Sequence, residues 1–167
     1  MSRILVVGSA NADLVFRSPR FPRPGETVIG TDYQIHPGGK GANQAVAAAR
    51  LGASVAFCGC VGGEAHGELL RASLEEAGVD TTHLRVVDAP TGTAGIIVEE
   101  GGANMIVVHP GANARLTSDD VALAMRHVQP SVVLAQLEIP LEAVQAAAEH
   151  PFFILDPAPA QELPAEL

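Results

Sequence analysis

The run Pro37-Gly38-Gly39-Lys40-Gly41-Ala42-Asn43-Gln44-Ala45-Val46-Ala47-Ala48-Ala49-Arg50-Leu51-Gly52 restricts the possible folds more than any other stretch. Its second half is alanine-rich and free of breakers up to Gly52, the pattern of a helix closed by a C-terminal glycine. Its first half sets glycines at the start of that helix, where the backbone can turn at positive φ and come close to a ligand. The first N–H groups of a helix have no partner within it and carry a partial positive charge, which suits an oxygen-rich ligand. Lys40 adds a full charge, and Asn43 a donor and an acceptor in the first turn. Two readings are open on these residues alone: a ligand loop, or a turn whose glycines serve close packing of helix on sheet.

Other candidate ligand groups fall at strand ends. Ile4-Leu5-Val6-Val7 is a continuous apolar run ending at Gly8-Ser9, as in a buried parallel strand. If the chain stays extended through Asn11-Ala12-Asp13, Asn11 and Asp13 point to one face at the C-terminal end of that strand. Open α/β sheets take ligands at that end. An amide and a carboxylate so placed can grip neighbouring hydroxyls; capping of a turn is the plainer alternative. Residues 131–137 read as a later strand, and Glu138 puts another carboxylate at its end.

Between these points the chain keeps an α/β rhythm. Strands are expected at 54–61, 84–87 and 152–155, and helices at 67–77, from a Thr117 or Ser118 cap to about His127, and from Pro140 to about Glu149. Glu64, just ahead of the second helix, is explained by the helix dipole. Three prolines make 19–25 irregular, and 26–35 alternates as a half-exposed strand. Residues 93–99 and 104–109 flank Glu100-Gly101-Gly102-Ala103 as a hairpin. Pairing of this hairpin with 26–35 would make a small flap beside the ligand site.

Composition removes several function classes. The chain has 167 residues, enough for one domain with a real core. A net charge of −9 with no basic cluster argues against nucleic acid and anionic membranes as partners. The absence of Trp, with one Tyr and five Phe, gives no aromatic platform for bases. No apolar run reaches the length of a membrane span, and the first residues do not read as a signal peptide. Cys58 and Cys60 are two apart on one strand face, too few for a zinc site and too strained for a disulfide, so both are expected as buried thiols. The six histidines lack metal-ligand spacing and are expected at the surface. A cytoplasmic protein is the reading these features support. A dinucleotide-binding oxidoreductase would need G-x-G-x-x-G after the first strand, which Gly8-Ser9-Ala10-Asn11-Ala12-Asp13 does not supply.

The segments Gly8-Ser9-Ala10-Asn11-Ala12-Asp13, Pro24-Gly25-Glu26-Thr27, Gly38-Gly39-Lys40-Gly41-Ala42-Asn43-Gln44-Ala45, Gly111-Ala112-Asn113, Gln136-Leu137-Glu138 and Pro157-Ala158-Pro159-Ala160 occur in one order along the chain. In this the sequence resembles the N-terminal half of the ribokinase family of carbohydrate kinases. The resemblance implies a Rossmann-like three-layer α/β/α parallel sheet, with lid segments at about 13–36 and 93–109 inserted into one domain over 1–167. It implies phosphorylation of D-ribose to D-ribose 5-phosphate, another sugar or a nucleoside being the alternative. The implied substrate-binding residues are Asn11, Ala12, Asp13, Gly39, Lys40, Gly41, Ala42, Asn43 and Glu138. The implied cofactors are ATP and Mg2+, with a monovalent cation such as K+ as a further possible one, and the implied partner is a second copy meeting the first through the lid.

The sequence also departs from the family pattern. The Gly-Ala-Gly-Asp-like turn whose aspartate is the family's base is absent, as are the Asn-x-x-Glu motif tied to magnesium and the ATP pocket. Asp156 stands where the family commonly has Asn. Phosphoryl transfer depends on positioning and charge stabilisation, so the 167-residue chain is expected to hold sugar without catalysing transfer, with no catalytic or cofactor-binding residue of its own. A non-enzymatic interaction protein, associating through apolar surface exposed beyond 152–155, is the alternative from another class.

Overall fold

Leu5, Val6 and Val7 are wholly buried, and their side chains alternate between two cores. Leu5 and Val7 join Ala56, Cys58 and Cys60 on one face of the sheet, and Val6 joins Val55, Phe57 and Val61 on the other. A strand apolar at every position is what two covered faces require. The computed structural model describes residues 3–165 and 167. Its main sheet consists of β1 (Arg3–Val7), β4 (Ser54–Gly62), β5 (Asp80–Val87), β8 (Val132–Ala135) and β9 (Phe153–Leu155) in the order β5-β4-β1-β8-β9. All of its pairings are parallel.

Among the described residues, four α-helices cover the sheet. Helices α1 (Lys40–Arg50) and α2 (Ala65–Glu76) pack on one face through Ala42, Ala45, Leu70 and Leu74. Helices α3 (Ser118–Val128) and α4 (Leu141–Ala148) pack on the other through Val121, Ala124, Val128, Ala143, Val144 and Ala147. This is the three-layer α/β/α arrangement that the alternation of elements predicts. Gly52 ends α1 at φ 91°, with its N–H bonded to Ala49 O and that of Ala53 to Ala48 O. Gly78 ends α2 in the same way. These are paired C-terminal closures that satisfy carbonyls left free by the helix, and only glycine takes that conformation without strain. Thr117 caps α3 reciprocally with Asp120. Pro140 precedes α4 as its cap, one residue earlier than a first-turn position, with an extended ψ of 137°.

A second, four-stranded sheet is inserted between these elements. It contains β2 (Asn11–Ser18), β3 (Asp32–Gly38), β6 (Gly92–Glu99) and β7 (Asn104–His109) in the order β3-β2-β6-β7. Two expectations need correction. The strand sought at 26–35 covers only Asp32–Gly38, because Glu26 is held in a loop by Arg20 and the Arg23 N–H, which lowers its pKa to about 2. The hairpin β6–β7 does not pair with that strand: β2 lies between them, antiparallel to β3 and parallel to β6. Sequence alternation identified the strands but could not rank partners that meet only after the crossovers close.

The two sheets are joined at a tight node. The Gly62 N–H donates to Thr91 Oγ1 at 2.9 Å, and the Thr91 N–H donates to Glu64 Oε1 at 2.8 Å. Glu64 therefore does more than complement a dipole: it ties the start of α2 to the start of β6. Cys58 and Cys60 are buried free thiols, and burial pushes Cys58 up to about 12. None of the six histidines is buried.

Candidate functional site

Strand β1 lies where the crossovers of the main sheet diverge, with β4 on one side and β8 on the other. Chain segments leaving such strands separate and open a crevice at their C-terminal ends. Residues Gly8 to Asn11 cross that edge, and the first turn of α1 lies directly on them. Gly39 has φ 90°, and a Cβ there would stand 2.7 Å from the Asn11 backbone nitrogen. A Cβ on Gly41 would stand 2.6 Å from the Ser9 nitrogen. Both distances are too short for any side chain, so these glycines pack the helix start against the strand end, and Gly39 also lines the cavity described next.

The expectation that free helix N–H groups await a ligand is corrected by their actual partners. The Lys40 N–H donates to Glu138 Oε2 at 3.1 Å, the Gly41 N–H to Ser9 Oγ at 3.4 Å, and the Ala42 N–H to Ser9 O at 2.9 Å. Glu138 arrives from the end of β8 and occupies the positive end of α1 as an internal anion. Ser9 Oγ–H donates to the same Oε2 at 2.5 Å. That leaves Oε1 facing the Lys40 ammonium at 4.0 Å.

Asn11, Asp13, Gly39, Lys40, Asn43 and Glu138 line one cavity of about 160 Å³, closed by Ala94 and Ile96 of β6 and Ile106 and Val108 of β7. Six of the nine residues selected from the sequence thus meet. Ala12, Gly41 and Ala42 do not line it: all three are buried, Gly41 against the Gly8–Ser9 backbone and Ala42 in the core beneath α1. Asn11 and Asp13, two apart on β2, share the cavity face as an extended backbone requires. Burial, and then the nearby Glu138 carboxylate, raise the pKa of Asp13, while its cross-strand neighbour His36 acts in the opposite sense. Two carboxylates that accept, an ammonium that donates and two amides that can do either form a set complementary to adjacent hydroxyls, each of which gives one hydrogen bond and accepts others.

Sequence reasoning missed Ser9, Asn113 and the four apolar residues from β6 and β7. Ser9 and Asn113 are 0% and 1% exposed. Their signal was present as small polar residues inside otherwise apolar or glycine-rich segments. The apolar four carry no such signal, since they look like any strand residue. A further space of about 570 Å³ shares Asn11, Lys40, Ile106, Val108 and Glu138 and extends along Asn113, Ile139 and Pro159. Gln136 Nε2 donates to Gln44 Oε1 at 2.6 Å, and Gln44 Nε2 to Asp156 Oδ2 at 3.3 Å. Among the described residues no group of three His, Cys, Asp or Glu side chains could hold a metal ion, and no helix is long and apolar enough to cross a membrane.

Similarity to known proteins follows the same geography. The chain is 45% identical to the ribokinase of Haemophilus influenzae over 171 residues, which cover 98% of this chain and 56% of that protein. The crystal structure of ribokinase from Thermotoga maritima superposes with a TM-score of 0.91 at 38% identity, covering 99% of this chain and 56% of that one. The Arabidopsis thaliana ribokinase complexed with ribose and ATP gives a TM-score of 0.79 at 34% identity, over 94% of this chain and 54% of that one. The chain thus spans a little over half the length of these relatives. Residues 1–153 match the pfkB family carbohydrate kinase as a whole pattern, including both strand ends and the glycine-rich helix start that build the cavity, and the chain belongs to that family.

Proposed function

We propose that this chain is the sugar-holding part of an ATP-dependent kinase that converts D-ribose to D-ribose 5-phosphate. The observation that carries this reading is the single small cavity in which Asn11, Asp13, Gly39, Lys40, Asn43 and Glu138 converge. At about 160 Å³ it is well below the roughly 300–1,000 Å³ of pockets for drug-sized ligands. Its carboxylates suit hydroxyl hydrogens, and a similar protein is known in complex with ribose and ATP. Asp13 and Glu138 would accept from sugar hydroxyls, while Asn11, Lys40 and Asn43 would donate to their oxygens.

On this reading ATP and Mg2+ are given no residue of this chain: the family's Asn-x-x-Glu and Gly-Ala-Gly-Asp-like segments are absent from the sequence, and the positive end of α1 is filled by Glu138. The chain's own contribution is to bind the sugar, orient it, and shield it from water under the second sheet, which acts as a lid. By itself it binds sugar without transferring phosphate. The adjoining larger space gives a nucleoside substrate a specific basis as the second reading, since it shares five cavity residues. A protein extended to the length of its relatives, assayed for ADP release with pentoses, hexoses and nucleosides, distinguishes the two. Ribose-dependent release supports the first; release with nucleosides alone replaces it with the second.

The lid's outer face carries Phe16, Tyr33, Ile35, Met105 and Val107, each at least 39% exposed. Phe16 and Tyr33 stack at 4.7 Å on this face. A contiguous apolar sheet face of this kind suits a second copy of the chain, and a homodimer through the lid is the assembly we assign. Sedimentation equilibrium on the extended protein checks this, a monomer at micromolar concentration contradicting it. The buried unpaired thiols fit a reducing, cytoplasmic setting.

A further inference from the structure

Asn113 lies in the 3₁₀ turn Gly111–Arg115, outside the residues assigned to the sugar, yet it makes three hydrogen bonds to the start of β2. Its Oδ1 accepts from the Ala10 N–H at 3.0 Å. Its Nδ2 donates to Ala10 O at 3.2 Å and to Asn11 Oδ1 at 2.7 Å. The backbone contacts fix which end of this amide is which, because an N–H can only donate and a carbonyl can only accept. The remaining Nδ2 hydrogen then admits only the oxygen end of the Asn11 amide. The amino end of Asn11 is the end left for the cavity that it lines with Asp13 and Glu138. Gly92, opposite Asn11 in the β2–β6 pairing, leaves room for this contact. A Cβ there would stand 2.2 Å from Asn113 Nδ2 and 2.3 Å from Asn11 Oδ1.

Resting on the sugar-binding reading above, we infer that Asn113 is a positioning residue that holds Asn11 as a donor toward the substrate. Two residues along the same strand, Asp13 can only accept when ionised. The pair therefore selects hydroxyls, which give a hydrogen to the carboxylate and accept one from the amide. It discriminates against groups that only donate, such as an ammonium at the Asn11 position. Without Asn113, the Asn11 amide is free to turn over and place its oxygen against the substrate's oxygen.

The test is a double-mutant cycle read as D-ribose affinity by titration calorimetry, with thermal denaturation of each variant alongside. Asn113→Ala is expected to weaken ribose about 10-fold. Asn11→Ala combined with Asn113→Ala should bind no more weakly than Asn11→Ala alone, because the second residue acts through the first. Additive losses, or full affinity in Asn113→Ala, overturn the inference. A purely structural role would lower Tm and leave the cycle additive. Should Asn113→Ala not fold, Asn113→Asp serves in its place: it has nearly the same shape, keeps the acceptor for the Ala10 N–H, and sets an oxygen against Asn11 Oδ1. A sugar-free arm follows 15N relaxation of the Asn11 side-chain amide. Its order parameter should be high in the parent chain and fall in Asn113→Ala and Gly92→Ala, while in Asn113→Asp the amide turns over to donate to the new carboxylate and its shift moves. An unchanged order parameter in Gly92→Ala together with an unchanged shift in Asn113→Asp overturns the inference. If the parent chain binds no ribose, the substrate reading fails, and this second arm alone decides the positioning role.

Discussion

Glu138→Ala is expected to weaken ribose binding by roughly 10- to 150-fold or more and to destabilise the fold. The carboxylate that it removes holds Ser9 Oγ–H at 2.5 Å and the Lys40 N–H at 3.1 Å. Leaving a buried donor without a partner costs about 1–3 kcal/mol. Because the vacated space adjoins the cavity, water can reach one of the two donors, so a total loss of about 1–3 kcal/mol is expected. For the sugar, a hydrogen bond to a charged acceptor contributes about 1.5–3 kcal/mol, or roughly 10- to 150-fold in affinity. Displacement of Lys40 and the start of α1 would add to that. Glu138→Gln separates the two effects. It keeps an acceptor for Ser9 and Lys40 and should recover most of the stability, but not the affinity for ribose. Calorimetry and thermal denaturation on both variants decide the matter; ribose affinity unchanged in Glu138→Ala would remove Glu138 from the site.

Asp13→Asn should move stability and binding in opposite directions. The Asp13 carboxyl has a raised pKa because burial, and then Glu138, disfavour its charge. The sign follows from linkage: the folded chain holds this proton more tightly than the unfolded chain does. The associated stabilisation is fully present below the unfolded pKa and is lost as pH rises through the folded one. At neutral pH the parent chain carries the penalty, and the asparagine, which mimics the neutral acid, does not. Asp13→Asn is therefore expected to melt at a higher temperature near pH 7, with the gain disappearing under acid conditions where Asp13 is itself protonated. Ribose affinity should fall about 10- to 100-fold, since a charged acceptor is exchanged for a weaker neutral one. In the parent chain, affinity should also decline as pH drops through the raised Asp13 pKa, a decline that the variant lacks. A higher Tm with lost binding is the mark of a residue kept for function against stability. A lower Tm at pH 7 would contradict this origin of the shift.

The parts of the molecule that could be read from the sequence are those decided by local chemistry. Val6 and its neighbours form a run apolar at every position, which allows only a strand covered on both sides. Gly52 and Gly78 mark helix ends because few other residues adopt their conformation. Asn11 and Asp13 share a face because extended backbone has a period of two. What could not be read depends on contacts across long stretches of chain. Placing β2 between β3 and the β6–β7 hairpin requires knowing that Asn11 meets both Gly38 and Gly92. The capture of the α1 amides by Glu138, 98 residues away from Lys40, has no local signature. Glu138 was legible as a carboxylate at a strand end, and Lys40 as a charge at a helix start, but not that each satisfies the other.

The claim on which the rest depends is that these distant segments form one polyol site. It is tested most directly by titrating D-ribose into the 15N-labelled 167-residue chain and mapping backbone and side-chain amide shifts. Saturable shifts are predicted at Asn11, Asp13, Gly39, Lys40, Asn43 and Glu138 and at Ala94, Ile96, Ile106 and Val108, with Phe16 and Val107 on the opposite face of the second sheet unmoved. Saturable shifts confined to other residues, or none at millimolar ribose, would contradict it.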